Sequence, residues 1–396
     1  MKKNISNERT ASQFIVHVTV DEKFIDMALR EFEAVAPGIN RSIILGNKRQ
    51  LRYVKSEVLE FHTIKSAKAL VRSTKCGAVI FHSLNDLTLL SDIPKDKKVI
   101  WLGWGYDYYD RLLVSAYPQG LFLPKTRELS ESRPKPPLAL TMLRKYKSIA
   151  KLLLGRKTIY HPKLLERVDV FSPVIDVEHQ MACNLNSWFK SQYVTWNYGT
   201  VEDDLSSNNL EYKPVGNNIL VGNSASFENN HLEVFDNLER CVDLTGRKII
   251  VPLSYGDDWY KEQLITVGRE MFGDKFVPLT RFMDKDAYLE ILQSCGHSFM
   301  NHLRQQALGN ICIMMLKGSN IYMSSASPLY RWFLDRGAVI QSIDARATAS
   351  VTGEISLAPL SSVDQINNIQ VIKAHWGRDI QRIRTRQLVD VAMGSV

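Results

Sequence analysis

Polar and aromatic side chains that suit a nucleotide diphosphate follow four predicted strands in the second half of the chain. Glycine permits close backbone approach, amide and guanidinium groups bind phosphate oxygens, and an aromatic ring stacks on a base or sugar. Each loop by itself is also typical of a turn or a helix cap. Because ligands of open α/β sheets sit at the carboxyl ends of strands, the four loops together predict one nucleotide-diphosphate pocket. Its candidate residues are Gly222, Asn223 and Ser224, then Tyr255, then Thr280, Phe282 and Met283, and finally Arg304, Gln305, Gln306, Gly309 and Asn310.

The first half has one aromatic loop after a predicted strand, formed by Gly103, Trp104, Gly105, Tyr106, Asp107 and Tyr108. Aromatic rings form platforms for sugars, and Asp107 is a candidate general base. A packed loop capped by Asp107 is an equally good interpretation. His17 on the first strand is a rival base, although a lone strand histidine is more often part of the core. The loop lacks the third glycine of a dinucleotide fingerprint, so a dinucleotide cofactor is poorly supported.

Asp284 and Asp286 are formally an Asp-x-Asp pair, which binds a metal–nucleotide complex in one class of sugar transferase. Asp284 stands where a helix needs a cap, and Asp286 falls in the first turn, where negative charge suits the helix dipole. Capping is therefore the favoured interpretation. No His, Cys and carboxylate cluster has the spacing of a metal site, so no metal or other cofactor is expected. The five cysteines include no Cys-x-x-Cys, which argues against a disulfide scaffold or a zinc ribbon.

A basic segment covers residues 124–167, with twelve Lys and Arg against three acidic residues, in a chain whose net charge is +8. Such local charge indicates a polyanionic partner. Residues 139–154 predict a helix with an apolar and a cationic face, as in helices that lie on anionic membranes; a core-packed helix with a solvated basic face is the alternative. No nucleic-acid-binding motif occurs, so no nucleic acid partner is expected. The candidate membrane-surface residues are Arg144, Lys145, Lys147, Lys151, Arg156 and Lys157.

Short apolar strands alternate with helical segments in both halves, which predicts two doubly wound parallel sheets. A polar stretch at 199–218 separates the halves. We predict a first domain at 1–205 that contains the basic segment, a linker at 206–217, and a second domain at 218–396 that ends in helices. The predicted strands are 14–20, 42–45, 78–82, 98–102 and 168–172, followed by 218–221, 248–251, 276–279, 298–301 and 320–323.

The composition is that of a globular protein. The chain has 396 residues, of which 45% are hydrophobic and 23% charged. These values exclude a disordered chain, a collagen and a coiled-coil rod. No run of apolar residues is long enough to span a bilayer, and the polar N-terminus does not read as a secretory signal. A soluble cytoplasmic protein is expected.

The loops of the second half resemble those of a known enzyme family. The similarity is strongest over 218–338 and includes VGNS at 221–224, LTRFM at 279–283 and RQQ at 304–306. The first half matches more thinly, at His17 and at 104–109. The chain resembles the bacterial TDP-4-acetamido-4,6-dideoxy-D-galactose (TDP-Fuc4NAc) transferases of glycosyltransferase family 56, the 4-alpha-L-fucosyltransferase group. These act on a lipid-linked intermediate of enterobacterial common antigen.

The resemblance implies a GT-B fold, in which two Rossmann-like domains face a central cleft. It implies that the second domain binds the TDP-sugar donor without a metal and that Asp107 in the first faces the acceptor. We therefore expect an enzyme that moves Fuc4NAc or a close relative to a polyprenyl-diphosphate-linked saccharide, as a peripheral protein on the cytoplasmic face of the inner membrane. The chain departs from the family pattern at 128–137 and at His302, so a related O-antigen transferase fits as well. The alternatives are a non-catalytic nucleotide-sugar or polyanion-binding protein and an NDP-sugar epimerase on the same scaffold.

Overall fold

The chain divides into two compact units, each built on a six-stranded parallel sheet. The computed structural model describes residues 13–85, 87–135, 137, 142, 146, 161–206, 215–241, 243–344 and 357–394. The first unit comprises Met1–Ala116, Lys135–Thr200 and Arg378–Val396. The second comprises Tyr117–Pro134 and Val201–Gly377.

The sheet of the first unit has the strand order β3-β2-β1-β4-β5-β6, with every pair parallel. The order reverses between β1 and β4, which makes the carboxyl ends of these two strands the switch point of the sheet. Five of the six strands match predicted ones. The third was missed because all four of its residues are half-exposed, so the sequence has no apolar run there. The strands are β1 (Phe14–Thr19), β2 (Asn40–Leu45), β3 (Leu59–His62), β4 (Cys76–His82), β5 (Lys98–Leu102) and β6 (Val170–Ser172).

The helices begin at capping residues where the sequence supplies them. Asp257, Asp284 and Ser361 each accept a hydrogen bond from the backbone N–H three residues later, at 3.0, 2.9 and 3.1 Å. Asp284 is thus a helix cap, as the favoured interpretation had it. The α-helices of the described residues are α1 (Ile25–Val35), α2 (Ile64–Val71), α3 (Pro124–Glu131), α4 (Pro162–Leu165), α5 (Asp176–Leu185), α6 (His231–Cys241), α7 (Asp258–Phe272), α8 (Lys285–Gln293), α9 (Leu308–Leu316), α10 (Pro328–Leu334), α11 (Ser362–Trp376) and α12 (Arg378–Met393).

The C-terminal helix α12 completes the first unit, which corrects the predicted boundary at 205. Leu388 is fully buried in the same apolar cluster as Ile15 and Ile80 of the sheet. The indole N–H of Trp196 donates to Thr385 Oγ1 at 3.0 Å. The chain therefore crosses between the units more than once, and no single cut separates them.

We predict that Leu388→Ala lowers the free energy of unfolding of the first unit by about 2–5 kcal/mol, because it leaves a cavity in the core. The matched control is Ile383→Ala on the same helix, whose side chain is 56% exposed; its effect should stay within about 0.5 kcal/mol. Hydrogen exchange followed by mass spectrometry should show lost protection in β1 and β4. Equal loss in the strands of the second unit, or none in the first, would contradict this placement of α12.

The sheet of the second unit has the order β12-β11-β10-β7-β8-β9, again with every pair parallel. Its switch point lies between β7 and β10. The core includes the stacked rings of Phe299 and Tyr322, whose centroids lie 4.4 Å apart. The strands are β7 (Asn218–Val221), β8 (Ile249–Pro252), β9 (Phe276–Leu279), β10 (Cys295–Met300), β11 (Asn320–Met323) and β12 (Gln341–Ser342).

The start of the basic segment belongs to the second unit. This corrects the prediction that the whole segment lies in the first domain. Helix α3 packs on α6, where Glu233 accepts hydrogen bonds from the backbone N–H and the hydroxyl of Thr126 at 2.9 and 2.7 Å. Lys125 pairs with Asp236 at 2.6 Å, and Arg133 with Asp257 at 2.7 Å. These two cations of the segment are therefore matched by acids of the same unit.

The predicted interfacial helix at 139–154 lies outside the described residues, except for Met142 and Tyr146. The same is true of all six candidate membrane-surface residues and of most of the predicted linker. In the part of the chain that the structure describes, no helix has both the length and the apolar character needed to cross a bilayer.

Candidate functional site

Two predicted donor loops meet at the switch point of the second unit. Val221 at the end of β7 pairs with Phe299 near the end of β10, and the backbone N–H of Gly222 donates to the Phe299 carbonyl at 2.9 Å. The loop after β7 carries Asn223 and Ser224, and the loop after β10 carries residues 304–306. This is the place where doubly wound sheets bind their ligands.

The buried side chain of Asn229 holds the two loops together. Its Oδ1 accepts from the backbone N–H of Asn223 at 2.9 Å and from Nε2 of His302 at 2.9 Å. Its Nδ2 donates to the carbonyl of Ser224 and the hydroxyl of Ser226 at 3.1 and 2.9 Å. The orientation of this amide is fixed by these partners, so His302 must carry its proton on Nε2.

Gly222 is required by this packing. Its φ is +66°, a left-handed conformation that glycine adopts without strain. A Cβ at this position would lie 2.6 Å from His231 Nε2 and 2.7 Å from Asn229 Oδ1. The glycine thus makes room for the buried polar cluster beneath the loop, a role that the sequence pattern did not distinguish from ligand approach.

Three of the predicted donor residues form a connected polar layer at this point. The Asn223 side chain donates to the Tyr255 hydroxyl at 3.0 Å and accepts from Gln306 Nε2 at 3.2 Å. Tyr255 is 46% exposed, so part of its side chain is accessible to a ligand. The structure thereby joins the loops after β7, β8 and β10, as the prediction of one pocket required.

Arg304 provides a positive charge among the polar residues at this switch point. We call these residues the cluster: Asn223, Asn229, His231, Asn301, His302, Arg304 and Gln306. Arg304 is only 9% exposed, and among the described residues its guanidinium has no carboxylate within 4 Å; it bonds the Gln305 carbonyl at 3.3 Å. Burial, helped by the charge of Arg304, holds the pKa of His302 well below its usual range. Burial also lowers the pKa of His231 to about 3. At neutral pH the cluster therefore presents one positive charge among neutral polar groups.

Several buried polar atoms of the cluster make no hydrogen bond to the residues that the structure describes. They are His231 Nε2, His302 Nδ1, Asn301 Oδ1 and Gln306 Oε1. Buried polar atoms are normally satisfied, and an exception at a switch point beside a cation indicates a binding site.

The predicted donor residues that follow β9 or belong to α9 lie at the same edge of the sheet, outside this polar layer. Thr280 and Phe282 are exposed after the outermost strand β9, Phe282 at 70%, and Met283 is half-buried. Asn310 donates to the Tyr288 hydroxyl at 3.1 Å. A Cβ on Gly309 would meet nothing within 4 Å. The helix begins at Leu308 and not at Arg304, so residues 304–306 form a loop that precedes its N-terminus.

In the first unit, Asp107 positions a loop, which corrects its prediction as a base. The side chain is 2% exposed. Its Oδ2 accepts from the backbone N–H of Leu84 at 2.9 Å and the indole N–H of Trp101 at 2.7 Å, and Oδ1 accepts from the backbone N–H of Trp104 at 2.8 Å. With both oxygens engaged, Asp107 has no oxygen directed at a ligand.

The aromatic loop is divided between core and surface. Tyr108 is fully buried and donates to Glu178, so it does not face an acceptor as predicted. Gly103 leaves room for this ring, because a Cβ there would lie 2.8 Å from Tyr108 Cε1. Gly105 has φ +92° and turns the chain. Tyr106 is 46% exposed, and its hydroxyl contacts Ser83 Oγ at 3.1 Å.

His17 lies in a buried chain of hydrogen bonds that reaches the carboxyl edge of the first sheet. Asn40 Nδ2 donates to Glu33 at 2.8 Å, so its Oδ1 must accept from His17 Nε2 at 3.1 Å. His17 Nδ1 then accepts from His82 Nε2 at 3.0 Å, and His82 Nδ1 accepts from the Tyr198 hydroxyl at 2.9 Å. Each tautomer follows from its neighbour.

This arrangement corrects the prediction of His17 as a base in contact with substrate. Both histidines are 0% exposed, and burial lowers the pKa of His17 to about 4 and that of His82 well below its usual range. Tyr198 is the half-buried end of the chain, with its ring 5.3 Å from that of Trp104. Any proton exchange with a ligand would pass through Tyr198.

Sequence reasoning missed Tyr198, His82, Asn229 and Glu22. Glu22 follows β1 at the switch point, and burial raises the pKa of its half-buried carboxyl. The sequence could have indicated Glu22, because an acidic residue shortly after the first predicted strand lies at the carboxyl edge of the sheet. The link between His82 and Tyr198 spans 116 positions, and no local pattern reveals it.

Comparison with known proteins identifies the class of enzyme. The model of the family described as 4-alpha-L-fucosyltransferase glycosyl transferase group 56 matches residues 194–351, a segment that includes Asn223, Tyr255 and Arg304. The chain is a glycosyltransferase. The resemblance predicted from the loops is confirmed over this segment.

Solved structures show the fold of the enzyme. Sucrose-phosphate synthase from Thermosynechococcus elongatus is 8% identical with a TM-score of 0.62, and 97% of this chain and 100% of that one are covered. The α,α-trehalose 6-phosphate synthase from Burkholderia multivorans is 9% identical, with coverage of 97% and 98% and a TM-score of 0.57. HepE from Anabaena, solved in complex with UDP-glucose, is 8% identical, with coverage of 96% and 99% and a TM-score of 0.57. The predicted GT-B fold is confirmed.

We predict that Asp107→Asn destabilises the enzyme by about 1–3 kcal/mol. The new amide N–H₂ would face either the N–H of Trp104 or those of Leu84 and Trp101, and two donors cannot form a hydrogen bond with each other. Activity per folded molecule should remain close to that of the parent. Urea denaturation and kcat at a temperature where the variant is folded measure the two effects. A loss of kcat of about a hundredfold or more would restore Asp107 as the base.

Proposed function

We propose that the enzyme transfers a 4-acetamido-4,6-dideoxyhexose, Fuc4NAc or a close relative, from a TDP-sugar to a polyprenyl-diphosphate-linked saccharide in bacterial surface polysaccharide synthesis. The observation that carries the donor side is the buried Arg304, which has no carboxylate partner among the described residues and lies with Asn223 and Gln306 at the switch point of the second unit. The identity of the sugar and of the nucleotide is supported by the family resemblance of these loops.

The chemistry of the donor side follows from this charge. As the bond between the anomeric carbon and the diphosphate breaks, negative charge grows on the leaving TDP. A guanidinium held in a largely dry site stabilises such charge strongly, and backbone N–H groups at the start of α9 act in the same direction. The open space beside Gly309 supports the approach of a ligand to that helix end. Arg304 and these amides take the role that a metal has in other transferases, so we expect transfer without one.

For the acceptor, we place the reacting hydroxyl at the half-buried oxygen of Tyr198. Because Tyr198 donates its own proton to His82, its oxygen is left as a hydrogen-bond acceptor. The acceptor proton passes to this oxygen while the Tyr198 proton passes to His82 Nδ1 and the His82 proton to His17. The histidine pair is neutral at neutral pH and so has a free ring nitrogen for this proton. Burial opposes the charged His17 that results, while the Asn40 hydrogen bond and the carboxylate of Glu33 favour it.

The basic segment supports a place on the cytoplasmic face of the inner membrane. The lipid-linked acceptor would bring the enzyme to such a surface, and each Lys or Arg near an anionic membrane contributes roughly 1 kcal/mol of attraction. Two cations of the segment are paired within the second unit, so the attraction is assigned to the candidate residues between 144 and 157.

We predict that TDP raises the melting temperature of the enzyme in metal-free buffer more than UDP, GDP or NAD do. Ligand at about 100 times its dissociation constant adds roughly 2.7 kcal/mol. Arg304→Ala should abolish the TDP shift, whereas the control Arg281→Ala, an exposed arginine after β9, should retain it. A TDP shift that survives in Arg304→Ala would contradict the donor site.

We predict that Tyr198→Phe lowers kcat by about a hundredfold and leaves the TDP melting shift intact, because the phenyl ring keeps the packing and loses the oxygen. The control is Tyr106→Phe, the same change on the same edge, which should alter kcat by less than about threefold. A larger loss in Glu22→Gln than in Tyr198→Phe would assign the base to Glu22 instead.

A further inference from the structure

The first unit contains a cavity that no predicted site includes. It has a volume of about 720 Å³ and lies at the carboxyl ends of β2 and β3, where Gly46 and Thr63 follow these strands. The other residues that line it come mainly from the segment 47–57 that connects the two strands. The cavity thus opens on the same edge of the sheet as Tyr198 and Trp104, two strands away from the switch point.

The wall of the cavity is held in place by two half-buried carboxylates, those of Asp21 and Asp26. Asp21 accepts hydrogen bonds from the backbone N–H groups of Arg52, Tyr53 and Val54 at 2.8, 3.0 and 3.2 Å. Asp26 accepts from those of Lys55 and Ser56 at 2.8 and 3.2 Å. Five backbone donors of one loop are therefore fixed to the start of α1, which pre-forms the cavity before a ligand arrives.

The lining combines an apolar floor with a cationic rim. Leu51, Val54 and Phe61 contribute apolar surface, and Lys48 and Arg49 contribute exposed positive charge. Neither cation forms an ion pair with a described residue, and the acid among the lining residues is Glu57. The Arg49 guanidinium lies over the end of β2, since a Cβ on Gly46 would be 3.6 Å from its Nη1.

The nearby Asp21 is a negative charge that interacts with this cationic rim. Burial acts to raise the pKa of Asp21, but its three backbone hydrogen bonds and the charge of Arg49 outweigh burial and lower the pKa. Its carboxylate is fully used in holding the loop. The charge of Asp21 therefore offsets part of that of Arg49, but among the described residues no ion pair engages Arg49 or Lys48, and both can contact an anionic group that enters the cavity.

The apolar floor continues to the aromatic loop. Leu51, Leu59 and Trp104 all pack against one cluster formed by Ile25, Leu29 and Val54. Leu51 and Leu59, which line the cavity, thus pack against the same buried residues as the ring of Trp104. This arrangement suits an amphiphile that carries phosphate, an apolar chain and a sugar.

We infer that this cavity binds a prenyl diphosphate, with the diphosphate at Lys48 and Arg49 and the first isoprene units on Leu51, Val54 and Phe61. The inference rests on the proposed function, for which it supplies the part of the acceptor that the Tyr198 site does not reach. Arginine and lysine together bind a diphosphate through charge-assisted hydrogen bonds, and the apolar floor distinguishes a prenyl diphosphate from a bare anion.

The test is calorimetric titration of the full chain with geranyl diphosphate, inorganic pyrophosphate and geraniol, in excess TDP to fill the donor site. Geranyl diphosphate should bind at least about tenfold more tightly than either fragment. The double variant Lys48→Ala/Arg49→Ala should weaken it about tenfold or more. The control Arg52→Ala, on the same loop but not lining the cavity, should change it less than about twofold.

Equal binding of pyrophosphate and geranyl diphosphate would overturn the inference in favour of a site for bare anions, as would binding unaffected by the double variant. The donor site is tested separately, because the double variant should keep the TDP melting shift. If TDP itself gives no shift, the titration is repeated with Arg304→Ala and no nucleotide, so that the cavity is judged even when the proposed donor site fails.

Discussion

Both candidate sites depend on one constraint, the reversal of strand order in a parallel sheet. Parallel strands are joined by crossovers, and where the order reverses, the loops after the two central strands diverge and leave space at the carboxyl edge. In the second unit that space is bounded by the loops after β7 and β10, which Asn229 ties together from below. In the first unit it is bounded by Glu22, Ser83 and Tyr198. The side chains that carry the proposed chemistry owe their positions to these two reversals.

The two switch points differ in charge, and the difference fits different roles. In the second unit one arginine stands among neutral amides and histidines, which favours an anionic ligand. In the first unit the histidine pair is neutral and its hydrogen bonds run in one direction, toward Asn40 and Glu33, which provides a path for a proton away from Tyr198. Burial keeps the histidines of both units uncharged at neutral pH, so Arg304 carries the positive charge at the second of these switch points.

Much of the fold could be predicted from the sequence because its signals are local. Apolar runs located most of the strands, Asp284 was recognised as a cap, and the polar loops after β7, β8 and β10 converge as expected. What could not be predicted depends on distant contacts. The edge strand Leu59–His62 has no apolar run, and nothing local in Arg378–Met393 indicates that it returns to the first unit.

The roles of single residues were the hardest to predict, for the same physical reason. Asp107 and His17 have the chemistry of bases, but their burial and their partners are set by residues far away in the chain. Asp107 is engaged by Leu84, Trp101 and Trp104, and His17 reaches the surface only through His82 and Tyr198. Residue type indicated which groups were able to react, whereas only the fold indicates which of them a ligand can touch.

The proposed transfer of a sugar from TDP to a lipid-linked saccharide can be followed with defined substrates. The most direct measurement is mass spectrometry of the products after incubation with TDP-Fuc4NAc and a polyprenyl-diphosphate-linked saccharide in metal-free buffer. We expect an acceptor that is heavier by one 4-acetamido-4,6-dideoxyhexose residue, with an equal amount of TDP released, and no product with Arg304→Ala. An unmodified acceptor, with the enzyme folded and TDP bound, would contradict the proposed transfer.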